Sequence, residues 1–293
     1  MVASKVGSIV VAISFLSLIT LTASCRQHRT PKSISFKRTT TSSSRPSEAS
    51  RDKELSPRQE IFYISDSLFQ ICIPAPLDGK DELIIKRKAY TLSYNKETKL
   101  PNWVAWHLTS EHTEGQYKRL NVYFEDSDVP MPRATDKDYQ GSNWTHGHMC
   151  PAGDNKWDME AMKESNFLTN ICPQDRQLNT GLWNRIEQDC RTWAKKYGDI
   201  YIVCGPVLMK KEHETIGMNQ VVVPEAFFKV ILCLRGTPKA LGYVIRNNEG
   251  KKKRDQFFNT VDEVERITGI DFFPSLPDSI ENRVESHSNL ELW

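Results

Sequence analysis

The chain has 293 residues, 39% of them hydrophobic, enough for a sizeable core in one large domain or two small ones. A formal net charge of +2 and a pI near 8.1 are only mildly basic, which excludes the broad positive field of a tight nucleic-acid binder. A local basic groove, with phosphate contacts sensitive to salt, remains compatible with that balance.

Lys5 precedes an uncharged apolar run from Ile9 to Leu21, which is short for a membrane span and suited to a secretory signal. The run ends in Thr22, Ala23, Ser24 and Cys25. Small residues before a cysteine look like the lipobox at which bacterial lipoprotein signals are cut and the cysteine acylated, although Thr22 stands where an aliphatic residue is usual. Residues 1–25 are therefore expected to be a signal peptide of lipoprotein type, with an ordinary cleaved signal as the alternative. The chain is expected to be exported: anchored at the bacterial cell envelope by lipid on Cys25, or otherwise secreted or periplasmic. Residues 26–58 are rich in Ser, Thr, Lys and Arg without apolar periodicity, and read as a disordered tether.

Residues 59–293 are expected to hold the folded domain. Residues 90–94 and 103–108 read as strands joined by a polar turn, and residues 119–124 as a third. A Pro- and Asp-rich loop leads to a Gly- and Pro-interrupted hairpin carrying His148. Helical patterns follow at 157–167 and 178–197, the second capped by Asn179 or Thr180 and stopped by Gly198. Strands are expected at 200–207, 221–234 and 240–245, then a helix opened by the capping box at 260–263 and ended at Gly269. Strands and helices without strict alternation point to an α+β domain, a mostly antiparallel sheet with packed helices.

The chemistry concentrates between Thr145 and Arg191. Asn179, Trp183, Glu187 and Arg191 recur at i, i+4 spacing and form one drifting helical stripe, while Leu182, Ile186, Trp193 and Tyr197 form a separate apolar face. An amide oxygen, a carboxylate, a guanidinium and a nearby imidazole are the groups that metal-assisted phosphodiester hydrolysis uses, and oxygen ligands suit a hard cation such as Mg²⁺.

On these residues the chain resembles the DNA/RNA non-specific endonuclease family, the ββα-metal nucleases that include secreted bacterial nucleases and endonuclease G. The family's Asp-Arg-Gly-His signature and the Pro-Ala turn after it are matched by Thr145, His146, Gly147, His148, Pro151 and Ala152, with the first two letters changed. A second signature is matched in order and spacing by Thr169, Asn170, Pro173, Gln174, Asn179, Trp183 and Glu187. Similarity at residues 101–107, 204–206, 223–229 and 269–274 extends the resemblance over roughly residues 84–277.

The resemblance implies the ββα-metal (His-Me finger) nuclease fold and an endonuclease that hydrolyses phosphodiester bonds of DNA and RNA with little sequence preference. It implies catalytic roles for four residues: His148 as general base, Asn170 orienting that histidine or its loop, Glu187 holding water beside the cation, and Arg191 on a phosphate oxygen. Asn179 would be the one direct protein ligand to Mg²⁺, for which Mn²⁺ could substitute. Arg119 carries over as a contact to substrate phosphate. His146 stands where the family has arginine, with shorter reach and a charge only when protonated, so activity is expected to be weaker or favoured at acid pH.

Other readings stay open. The chain could be a narrower phosphodiesterase or a catalytically crippled nucleic-acid-binding surface lipoprotein, and His146 and His148 with Cys150 could be part of a zinc site. No obligate protein partner is implied. With Cys25 set aside, six cysteines remain; a bridge between Cys150 and Cys172 would brace the site, and reduced thiols fit as well. The run Lys251 to Arg254 either meets a nucleic-acid backbone or is solvated.

Overall fold

The computed structural model describes residues 69–79 and 82–293, within the unit Glu54–Trp293. The expected signal peptide, Cys25 and the tether lie outside the described residues. In chain order the strands are β1 (Leu83–Lys86), β2 (Thr91–Asn95), β3 (Leu100–Thr109), β4 (Thr145–His148), β5 (Ile171–Gln174), β6 (Asp199–Val207), β7 (Thr215–Ile216), β8 (Val221–Val222), β9 (Ala226–Cys233), β10 (Lys239–Arg246) and β11 (Phe258–Asn259). The α-helices are α1 (Asp136–Tyr139), α2 (Met159–Ser165), α3 (Asn184–Tyr197), α4 (Val261–Thr268) and α5 (Asp278–Glu285).

Every residue of β9 is buried, which requires cover on both faces of its sheet. That sheet has seven strands in the order β1-β2-β3-β6-β9-β10-β11, all paired antiparallel. Side chains alternate between its faces. Val104, Trp106, Phe227 and Ile231 join one apolar cluster with Trp183, Ile186 and Trp193 of the helix built on residues 178–197. Trp103, Ala105, Phe228 and Val230 join a second cluster with Val261, Val264, Phe272 and Val284, under α4 and α5. The sheet is thus the middle layer, with the sequence-singled helix on one face and the C-terminal helices on the other.

Several expectations are adjusted. Residues 119–124 form no strand; only Phe124 makes an isolated bridge, to Phe167. The expected strand 221–234 is two, β8 and β9, parted at Pro224, whose carbonyl accepts a hydrogen bond from Asn247 Nδ2 at 2.9 Å. β4 and β5 pair antiparallel, but a long excursion carrying α2 separates them, so they are no tight hairpin. The helix at 178–197 is capped by neither Asn179 nor Thr180: Asp175 Oδ1 accepts from the backbone N–H groups of Gln177 and Leu178, both at 2.9 Å. Gly198, at φ +95°, ends that helix as expected. Thr260 Oγ1 accepts from Glu263 N, while the Glu263 carboxylate turns to Arg266, so only half of the capping box forms. All six cysteines among the described residues are buried free thiols, and Cys150 and Cys172 are not bridged. α5 lies beyond the stretch on which the helical reading rested.

Candidate active site

β4 runs antiparallel to β5 with Thr145 opposite Gln174 and His148 opposite Ile171. Gly147 is required there, because a Cβ would sit 2.5 Å from Gln174 Oε1 and 2.6 Å from its Cβ. After β5 the chain enters the helix through a π-wound turn, Leu178–Trp183, before α3 begins. That turn lies against β4. Asn179 Nδ2 donates to Thr145 Oγ1 at 2.9 Å and to the His146 carbonyl at 3.1 Å, and fully buried Trp183 donates from Nε1 to the His148 carbonyl at 3.3 Å. Thr145 Oγ1 in turn donates to the Gln174 carbonyl at 2.7 Å. Both amide hydrogens of Asn179 are therefore committed, and Oδ1 is the atom left for a cation.

His148 is buried, with Nε2 2.9 Å from Asn166 Oδ1. Asn166 Nδ2 donates to the Leu120 and Val122 carbonyls at 3.1 and 2.8 Å, so its oxygen is the acceptor. His148 Nε2 then carries the proton, and Nδ1 keeps its lone pair. Burial is the largest influence on this imidazole and pushes its pKa down to about 4; Arg119 and His146 lower it further, against the opposing hydrogen bond that Nε2 donates to Asn166. The ring is neutral across the physiological range, more completely than its ordinary value near 6.5 would give.

His146 lies between two aromatic rings, stacked at 3.8 Å on Tyr123 and 4.0 Å on Tyr139. Its Nε2 is 3.1 Å from Asp136 Oδ1 without the alignment of a good hydrogen bond. Burial outweighs Asp136 and lowers its pKa, so His146 is a neutral stacked ring and no ready replacement for an arginine charge. Among the described residues His146 and His148 gather no third metal-ligating side chain, which removes the ground for a zinc site.

One cavity of about 410 Å³ is lined by Arg119, His148, Asn179, Glu187 and Arg191, bringing five of the seven singled-out residues together. An adjoining cavity of about 450 Å³ shares Arg119 and Asn179 and adds Tyr123, His146 and Arg176. Burial raises the Glu187 carboxyl to about 7, against the opposing pull of Lys229 and Arg191. Arg191 Nη1 donates to Asp154 Oδ1 at 2.8 Å, and Asp154 Oδ2 accepts from Trp106 Nε1 at 3.1 Å. A desolvated carboxylate beside an amide oxygen in a polar cavity fits a hard cation.

Asn170 does not reach His148. Fully buried, it accepts from Cys150 N at 2.9 Å and donates to the carbonyls of Cys150 and Ser165, both at 2.8 Å. Its amide is spent on the loop behind the histidine, which makes it a positioning residue. The side chain that touches His148 is Asn166.

Residues 72–279 match the model of the family described as DNA/RNA non-specific endonuclease. The chain belongs to this family. It is 35% identical over 219 residues to human "Nuclease EXOG, mitochondrial", a match covering 69% of this chain and 59% of that protein. It is 32% identical over 229 residues to "Nuclease C1" of Cunninghamella echinulata var. echinulata, covering 72% of this chain and 89% of that one. A chain from the crystal structure of the EndoG/EndoGI complex superposes with a TM-score of 0.66 at 26% identity, covering 74% of this chain and 94% of that chain. The chain spans less than two thirds of the length of the EXOG relatives it matches. The fold is the ββα-metal nuclease fold, with β4, β5 and the helix at 178–197 as its ββα unit.

Within this family frame the motif reading missed three buried residues. Asn166 fixes the His148 tautomer, and Asp154 holds Arg191. Lys229, fully buried, places Nζ 4.5 Å from the Trp183 ring centre and 5.0 Å from that of Trp106, and its charge acts on both Glu187 and Asp154. The alternation of β9 could have flagged it: a lysine in an otherwise apolar, fully buried strand is an expensive choice without a task.

Proposed function

We propose that this chain is a metal-dependent endonuclease that hydrolyses phosphodiester bonds of DNA and RNA with little sequence preference. The observation that carries the reading is the convergence of neutral His148, the free Oδ1 of Asn179, Glu187, Arg191 and Arg119 on one polar cavity. His148 Nδ1 takes the proton of the attacking water, and Asn166 holds the ring so that this nitrogen remains the base. Asn179 Oδ1 would hold Mg²⁺ or Mn²⁺, and Glu187, lining the same cavity, would support water beside it. The cation supplies charge neutralisation at the phosphate and the leaving oxygen. Arg191, kept in place by Asp154, and exposed Arg119 contact phosphate oxygens, which carry no sequence information. Matches to proteins named as nucleases support the activity.

The test is incubation of the purified chain with circular plasmid and structured RNA, in Mg²⁺ and in EDTA, beside His148→Ala. Cutting of both polymers, lost with EDTA and with the substitution, is the expected result. Polymers left intact from pH 5 to 9 in Mg²⁺ and Mn²⁺, but still bound, would make the chain a nucleic-acid-binding lipoprotein instead. We also propose export through the signal at residues 1–25 and lipid attachment at Cys25, supported by the residues before that cysteine. Labelling with radioactive palmitate, absent in Cys25→Ser, tests it.

A further inference from the structure

On the sheet face opposite the cavity, α4 and α5 bring acidic side chains together. One carboxylate oxygen each of Asp262, Glu265 and Glu285 lies within 4.8 Å of the others. Glu285 is only 7% exposed, and its Oε1 accepts a hydrogen bond from no described residue. Glu265 Oε1 accepts from Phe272 N at 2.7 Å, which restrains its carboxylate. Further negative charge comes from Asp271 and Glu281. Burial and these neighbours push Glu265 up to about 7 and Glu285 to about 8, so bare carboxylates are poorly tolerated there. Glu285 is also the last residue of α5, at the negative end of the helix dipole, where a positive charge is favoured.

We propose that Asp262, Glu265 and Glu285 form a second cation site, selective for Ca²⁺, that ties α4 to α5. Ca²⁺–oxygen distances of about 2.3–2.6 Å allow two ligands of one ion to be at most about 5 Å apart, which the carboxylate spacing meets. Glu285 supplies a buried oxygen lacking any other described partner, Glu265 one already oriented, and exposed Asp262 opens the site to waters that complete the larger ion's shell. The role is structural, since α5 packs Val284 into the core while Oε1 of its terminal Glu285 is left without a described donor.

The experiment is thermal unfolding and Ca²⁺ calorimetry of the full chain carrying Asn179→Ala, which removes the proposed catalytic ligand and so separates the two sites. The expected result is one Ca²⁺ bound per chain and, at a hundred times the dissociation constant, a Tm raised by about 5 to 10 °C. Adding Glu285→Gln, which keeps shape and removes one crowded charge, should abolish both effects and leave the Tm in EDTA unchanged or higher; exposed Asp262→Asn should weaken binding at least about tenfold. A Tm unaffected by Ca²⁺, or a response retained in Glu285→Gln, overturns the proposal. So does a Tm that rises as pH falls below 7 with no Ca²⁺ response, which would mean that the carboxylates share a proton instead.

Discussion

Asn166 Oδ1 lies 2.9 Å from His148 Nε2, and the two residues come from different elements, the end of α2 and the end of β4. The contact decides which imidazole nitrogen keeps its lone pair and so serves as the proposed base. Asn166→Asp places a carboxylate against the ring, favours imidazolium and should raise the His148 pKa by about 1 unit or more. The acid limb of kcat/KM should move up accordingly, and a pH–rate profile reads it directly. A limb that stays in place would show that the amide oxygen is not the partner.

In the unsubstituted protein that acid limb should lie well below pH 6, because burial lowers His148 to about 4. The same shift has a stability consequence. The unfolded chain binds a proton at this histidine below its ordinary value near 6.5, whereas the folded chain does so only near 4, so the contribution is complete above about 6.5 and lost as pH falls toward 4. Neutral His146 gives no reason for activity to peak in acid. A kcat/KM maximum below pH 6 would contradict this.

Thr145 stands where the family has aspartate, and its hydroxyl bridges the Gln174 carbonyl and Asn179 Nδ2. Thr145→Val should leave the amide held by the His146 carbonyl alone and raise the Mg²⁺ concentration for half-maximal activity about 10-fold or more, as loss of a group orienting a ligand does. Thr145→Ser should retain most of the affinity. Equal metal requirements in the two variants would assign Thr145 no such part.

Lys229 offsets half-buried Glu187 and buried Asp154 from between two tryptophans. Lys229→Met should destabilise by about 3 kcal/mol, since it strips a buried cluster of its countercharge. Urea unfolding should show a lower midpoint at unchanged m. A higher midpoint would mean that the ammonium is held at net cost.

Arg119 is exposed, lines both cavities and forms no ion pair with another described residue. Arg119→Ala should leave Tm unchanged, raise KM for both polymers, and reduce the slope of log affinity against log salt by about 1. Binding measured at several salt concentrations in EDTA, with His148→Ala as the parent, checks it.

The sequence by itself determined the helix at 178–197 with its polar stripe, its glycine stop and the order His148, Asn179, Glu187, Arg191, because each of these is a local matter of periodicity or of a motif read along the chain. It also determined the α+β class, since β-rich runs and helical runs do not alternate regularly. Local pattern misjudged residues 119–124, whose aromatic and apolar composition suits a strand but which found no neighbouring ladder to join. Only tertiary structure decided that Asn166, and not Asn170, touches His148, that Asp154 holds Arg191, that the Lys229 charge acts on Glu187, and that His146 is a neutral ring between two tyrosines. Those contacts join segments far apart in sequence, and both the tautomer and the charge of a buried group depend on its surroundings in space, which no periodicity along the chain encodes.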